Sequence, residues 1–246
     1  KWAEAIKALQ TVLESRGTTR DPALFHMIGS AHEAIGDFDK AIEFYGKVIP
    51  MYEQLRQSFS VVERASFFRS VSRKPYWGLI RSLIKRGRPE DVLEALRTME
   101  LVRARQLGEV VDPAATEFSV GHIESRRQSL GPDEAVLAYV LTDTEVALAG
   151  MTRERAFARV IPYDARAFGK RAGALARLLA EPDSVASALN KGLGEMSTIL
   201  IAPIAAEITG KPQLVVLPDG AMNAVPFELL TRPAAPYRPL ILDATV

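Results

Sequence analysis

The sequence predicts an α plus α/β protein. Antiparallel helix pairs are expected over residues 1–112, a linker over 113–134, and an incomplete α/β sheet domain over 135–246. Three observations carry this. Up to residue 112 apolar residues recur at helical spacing, with small residues at turns and crossings. From Ala135 the pattern changes to short apolar runs bounded by turn residues. Late in the chain Leu214-Val215-Val216-Leu217 reads as a short buried, central strand stopped by Pro218-Asp219-Gly220, because proline lacks a ladder donor and Asp-Gly favours a tight turn.

Ala5, Leu9, Val12 and Leu13 form the first amphipathic stripe, and Gly17 is expected to end that helix. Asp21-Pro22 starts the next as N-cap and first helical residue. Gly36-Asp37-Phe38-Asp39 reads as an interhelix turn, followed by Ile42, Tyr45, Val48 and Ile49 on one face. Ala5 and Ala41 are 36 residues apart, close to the tetratricopeptide period of about 34. Gly29 falls where two helices would cross closely, Gly36 in the turn, and Ala41 where a small side chain admits the neighbouring helix. A weaker copy follows around Tyr76-Trp77-Gly78 and Gly87-Arg88-Pro89, with Val92 in place of the alanine and one long helix expected from Met51 to about Val71. The helix from Pro89 is expected to stop near Asp112-Pro113.

Residues 114–132 are poorly periodic, with a short helix expected at Ile123 to Leu130. Val136–Leu141 and Val146–Met151 read as a hairpin, Phe157–Ile161 as a third strand, and Asp164 as the cap of a helix to about Leu179. Pro182-Asp183-Ser184 separates this from a helical stretch to Ile208, expected to break at Gly192–Gly194 and at Pro203. After Leu217, Pro226 suits the first turn of a helix with Phe227, Leu229 and Leu230 inward. A proline-rich loop then leads to a strand beginning at Leu240-Ile241-Leu242.

The stretch from Leu217 to Leu230 resembles the CHAT family, caspase-like domains attached to tetratricopeptide (TPR) repeats. Pro218, Asp219, Gly220, Pro226 and Phe227 match that family's strand, Pro-Asp-Gly-like turn and Pro-Phe-x-x-Leu element. Glu100 to Leu107 resembles the segment that joins its repeats to its CHAT domain. The resemblance implies a cysteine endopeptidase whose catalytic His and Cys lie downstream of this motif. The chain contains no cysteine, and His26, His32 and His122 stand in no matching context. A thiolate mechanism therefore cannot run on these residues. The expectation is an inactive, interacting or regulatory front part of a longer TPR-CHAT protein of bacterial-type signalling or defence. A start at Lys1 in mid-helix pattern fits such a fragment.

Composition narrows the remaining chemistry. The formal net charge of +1 gives no global attraction to nucleic acid or membrane. The longest apolar run, Thr198–Ile208, is interrupted by Pro203 and is too short to span a bilayer. With no signal peptide visible, a cytoplasmic location without membrane association is expected. Charge is uneven, however: from Arg56 to Arg105 twelve Lys and Arg face five acids. Arg81, Lys85, Arg86 and Arg88 are the candidate contacts to an RNA-bearing complex, against a plain solvated helix face. His26 and His32 read as packing or groove positions, and His32-Glu33-Ala34-Ile35-Gly36 lacks the second histidine of a zincin. Neither a Gly-x-Ser-x-Gly elbow nor a phosphate-binding loop is present, and Gly192-Leu193-Gly194 alone is too weak to mean a nucleotide. Asp219 reads as a turn former bonded to its own backbone. No catalytic, cofactor or metal residue is predicted. The expected partner is a protein or peptide on the helical surface, or the CHAT part itself.

Overall fold

The computed structural model describes residues 1–15, 21–107, 119–181, 186–232 and 239–240. Several expectations fall outside those residues: the stop at Gly17, the break at Pro182-Asp183-Ser184, the helix end near Asp112-Pro113, the loop after Arg232 and the strand beyond Leu240. The chain divides into two compact units, Lys1–Ile123 and Glu124–Val246. It combines helices with a small mixed sheet.

The first unit is helical. It contains α1 (Trp2–Ser15), α2 (Pro22–Ala34), α3 (Phe38–Gln57), α4 (Val61–Phe67), a π-helical turn (Phe68–Ser72), α5 (Arg73–Arg86) and α6 (Pro89–Leu107). Local chemistry sets the boundaries. The Asp21 carboxylate accepts from the Ala23 and Leu24 N–H groups, with Pro22 at the first helical position. Asp37 caps α3 by accepting from the Lys40 N–H at 3.2 Å. Gly36 and Gly87, at φ 81° and 75°, take the left-handed conformation that closes α2 and α5.

The helix expected from Met51 to Val71 is interrupted, because α3 ends at Gln57 and α4 starts at Val61. The reason is a capping pair. Glu63 accepts from both the Ser60 N–H (2.9 Å) and the Ser60 hydroxyl (2.6 Å). The long helices pack in succession, α1 on α2, α2 on α3, α3 on α5 and α5 on α6, and α2 also touches α5. Ala41, Tyr45, Val48, Tyr52, Leu79, Leu83 and Ala95 form the core between them.

The second unit is built on a four-stranded sheet: β1 (Glu134–Leu141), β2 (Glu145–Thr152), β3 (Ala156–Pro162) and β4 (Gln213–Leu217), in the order β3-β2-β1-β4. The first three form an antiparallel meander, with Ala138 opposite Ala149 and Leu148 opposite Arg159. Both hairpins turn on a threonine: Thr142 Oγ1 accepts from the Glu145 N–H and Thr152 Oγ1 from the Arg155 N–H. The helices α8 (Ala165–Ala180) and α9 (Ala186–Leu200) cover Leu137, Tyr139, Val146 and Leu148 with Phe168, Leu175, Leu193, Met196 and Leu200. Asp164 caps α8 through the Ala167 N–H at 2.7 Å, as its sequence position predicts.

Four expectations about this unit are corrected. A helix, α7 (Val120–Ser129), starts earlier than expected, and the division between units falls within it. α9 runs unbroken through Gly192–Gly194, because Leu193 is fully buried and Gly192 sits against Leu175. Tertiary burial there outweighs glycine's weak helix preference. β4 is not central in the described sheet. It pairs only with β1, in parallel, and Val215 is 51% exposed. Pro226 does not start an α-helix: its ψ of 89° is not helical, and only a 3-10 turn, Phe227–Leu229, follows.

Candidate functional site

A polar face of the helical unit is shared by α2 and α5. His26, Ser30 and Glu33 follow an i, i+4, i+7 spacing on α2, and Lys74 and Arg81 are seven apart on α5, so each set lies along one side of its helix. Tyr45 of α3 lies beneath them. A Cβ on Gly29 would lie 3.1 Å from the Tyr45 ring, and one on Gly78 would lie 2.5 Å from its hydroxyl oxygen. The two glycines therefore let α2 and α5 close on a fully buried tyrosine.

The Tyr45 hydroxyl donates to Glu33 Oε2 at 2.8 Å and lies 3.2 Å from Ser30 Oγ. Arg81 clamps the same carboxylate with two bonds, Nε to Oε1 at 2.8 Å and Nη2 to Oε2 at 3.0 Å. Burial first, then the Glu33 charge, pushes the Tyr45 hydroxyl pKa up, so it stays a donor. His26, partly buried with its ring 6.0 Å from that of Tyr45, is held below the ordinary histidine pKa. Burial is the main cause. The Lys74 and Arg81 cations add to it, and Glu33 opposes it.

The residues picked out for charge are largely engaged within the fold. Arg81 is tied to Glu33 as above. Arg86 donates twice to Asp91 and once to Asp39. The Arg88 side chain reaches Asp39 and its N–H donates to Asp91. Lys85 is exposed in the last turn of α5. Burial works against the Asp91 charge, but the Arg86 guanidinium and the Arg88 N–H outweigh it, and the Asp91 pKa is lowered. Much of the local cationic excess thus has a local carboxylate, including Arg97 on Glu94 and Arg103 on Glu100.

The positions singled out for the helical frame sit where small or left-handed residues are needed: Gly29 on Tyr45, Gly36 in the turn, and Ala41 fully buried in the core. His32 is a core histidine. Its Nδ1 lies 3.0 Å from the Asp37 carboxylate and its ring stacks on Phe44.

In the second unit, Pro218, Asp219 and Gly220 follow β4 as expected, with Gly220 at φ 56°. Asp219, however, makes no side-chain cap to the 3-10 turn that follows it. Its buried carboxylate accepts from the Leu141 N–H at 3.1 Å, beyond the point where the β1–β4 ladder ends at Ala138 and Leu217. The acid therefore extends the sheet's hydrogen bonding at the strand ends. Pro226 positions Phe227, which is buried with its ring 5.5 Å from that of Tyr139. Among the described residues no group of three or more His, Cys, Asp or Glu could hold a metal ion, and no helix is long and apolar enough to cross a membrane.

The α2/α5 face was only partly legible in the sequence. Arg81 and Gly29 were singled out, but Glu33, Ser30 and Lys74 were not. The signal available was the His26, Ser30, Glu33 spacing, which puts three polar side chains on one side of an otherwise apolar helix. No family model, curated protein or solved structure matches this chain.

Proposed function

We propose that this chain is an interaction and regulatory protein: TPR-like helix pairs whose α2/α5 face takes a protein or peptide partner, followed by the front part of a CHAT-like, caspase-related domain. The observation that carries this is the placement of Gly29 and Gly78 against Tyr45, which brings α2 and α5 together as a shared polar face. Stacked helix pairs of this kind offer extended faces for partners. The turn at Pro218-Asp219-Gly220 and the buried Phe227 support the CHAT-like reading of the second unit, while the position of β4 at the edge of the sheet among the described residues counts against it. In a longer form, proteolysis would be supplied by a His and a Cys outside these residues.

Site-specific photocrosslinking tests the interaction. A benzoylphenylalanine at Lys74, on the proposed face, should give crosslinks to a defined partner. The same group at Lys47, whose ammonium pairs with Glu43 on α3, should not. Equal crosslinking from both positions would refute the assignment.

A second reading is a scaffold in an RNA-bearing effector complex, using the basic segment 56–105. The local excess of cations favours it. The ion pairs of Arg81, Arg86 and Arg88 count against it. Charge reversal at Lys85 and Arg88 should weaken salt-sensitive retention on RNA if this reading holds, and should change nothing if it does not.

A further inference from the structure

On the α2/α5 face, the fold uses some polar groups and leaves others available. Glu33 is clamped by Arg81 and accepts from Tyr45, and Ser30 lies against the Tyr45 hydroxyl. Lys74 is exposed and has no acidic partner among the described residues. His26 is partly buried between α2 and α5 and makes no ion pair there.

We propose that this face binds an acidic peptide segment, one carboxylate docking against Lys74 and His26, and that His26 takes up one proton from solvent as it binds. The proposal rests on the interaction reading above and adds the chemistry of the partner. The groups facing His26 are Glu33 from α2, Tyr45 from α3, and Lys74 and Arg81 from α5. Arg81 is neutralised by Glu33, so the uncompensated positive charge beside the imidazole is that of Lys74. That arrangement disfavours a second cation and rewards an anion. A carboxylate placed there reverses the electrostatic sign felt by His26 and draws a proton onto it. Burial first, then the Lys74 and Arg81 cations, hold the pKa of the free imidazole down, and the bound carboxylate offsets the cationic part of that bias. A peptide carboxylate suits the site better than a nucleic-acid backbone. A run of phosphates needs a row of unpaired cations, and here Glu33 already occupies the position beside Arg81.

Histidine-ring NMR on the full chain tests the proposal, with a hexaglutamate peptide as probe and sodium chloride at matched ionic strength as reference. His32 and His122 serve as internal controls. The His26 titration midpoint should move up in saturating peptide and the other two should not. Peptide affinity should rise as pH falls, by up to about tenfold per pH unit between the free and bound midpoints, as uptake of one proton requires. Lys74→Gln should abolish binding and raise the free His26 midpoint. His26→Asn should leave a weaker, pH-independent affinity. An unmoved His26 midpoint, or full binding by Lys74→Gln, would overturn the proposal. So would an oligouridylate that shifts His26 as strongly as the peptide at the same salt, which would assign the face to nucleic acid. Crosslinking from Lys74 together with an unmoved His26 would remove the acidic partner while leaving the interaction reading intact.

Discussion

Replacing Gly78 by alanine probes the helical unit most directly. The new methyl carbon would lie 2.5 Å from the Tyr45 hydroxyl oxygen and 2.6 Å from Cε2, well inside van der Waals contact. The ring cannot yield cheaply, because it is fully buried and its hydroxyl is bonded to Glu33 at 2.8 Å. Overpacking costs about 1–3 kcal/mol. Displacing the tyrosine would break a bond to a charged acceptor, about 1.5–3 kcal/mol. Alanine's better helix propensity returns about 1 kcal/mol. The net expectation is a destabilisation of roughly 2–4 kcal/mol.

Two other glycines calibrate it. At Gly29 the nearest Tyr45 atom is 3.1 Å from the added carbon, a contact that a small shift relieves. Gly29→Ala should therefore fall within about 1 kcal/mol of the wild type, strain and propensity opposing each other. Gly46 in α3 has nothing within 4 Å of the added carbon, so Gly46→Ala should stabilise by about 0.5–1 kcal/mol. Urea unfolding followed by tryptophan fluorescence is the assay. Both tryptophans, Trp2 and Trp77, lie in the helical unit, so the signal reports on it selectively. The expected order of midpoints is Gly46→Ala, then wild type and Gly29→Ala, then Gly78→Ala. A Gly78→Ala midpoint equal to that of Gly29→Ala would refute the claim that α5 is closed onto Tyr45.

Further tests follow from single contacts. Asp91→Ala leaves the Arg86 guanidinium without its two-bond partner and should destabilise the helical unit by about 2–4 kcal/mol in the same urea assay. The Asp91 pKa is lowered on folding, so its contribution is present above the unfolded value of 3.8 and is lost as pH falls through the lower folded value. Acid unfolding of wild type should steepen there, and the Asp91→Ala curve should not. His26 has the same sign at higher pH: its folded pKa lies below 6.5, so stability falls as pH drops from 6.5 toward that value, and His26→Gln should flatten this part of the profile. In the second unit, Tyr139→Phe strands the buried Leu200 carbonyl, bonded now at 2.8 Å, and should lower stability by about 1–2 kcal/mol, read as faster amide exchange in β1 and β2. Glu63→Ala removes both bonds to Ser60 and should fray the start of α4, measured as faster amide exchange at its first turn.

Much of the fold was legible because its signals are local. Asp21-Pro22 and Asp164 marked helix starts through capping chemistry that needs only neighbouring backbone N–H groups. Gly36 marked a turn because only glycine adopts a φ of 81° without strain. The three antiparallel strands showed as apolar runs bounded by turns. Misreadings arose where a distant partner decided the outcome. Gly192–Gly194 looked like a break, yet Leu193 is buried in the core of the second unit and the helix continues. Asp219 looked like a self-capping turn residue, yet its carboxylate is taken by Leu141, 78 residues away. The interruption at Ser58 to Ser60 was a local signal that was missed, since Ser60-Val61-Val62-Glu63 has the spacing of a capping box.

The candidate site divides in the same way. The sequence by itself determined which side chains could share a helix side, because a period of about 3.6 residues places His26, Ser30 and Glu33 together whatever else the chain does. It also determined that none of these residues can supply a thiolate, because they include no cysteine. Only the tertiary structure decided which cations are spent. Arg81 meets Glu33 across 48 residues, and Arg86 meets Asp39 across 47. A count of charges along the chain cannot foresee such pairs, because each depends on two helices lying side by side. That approach is set by the space that Gly29 and Gly78 leave around one buried tyrosine.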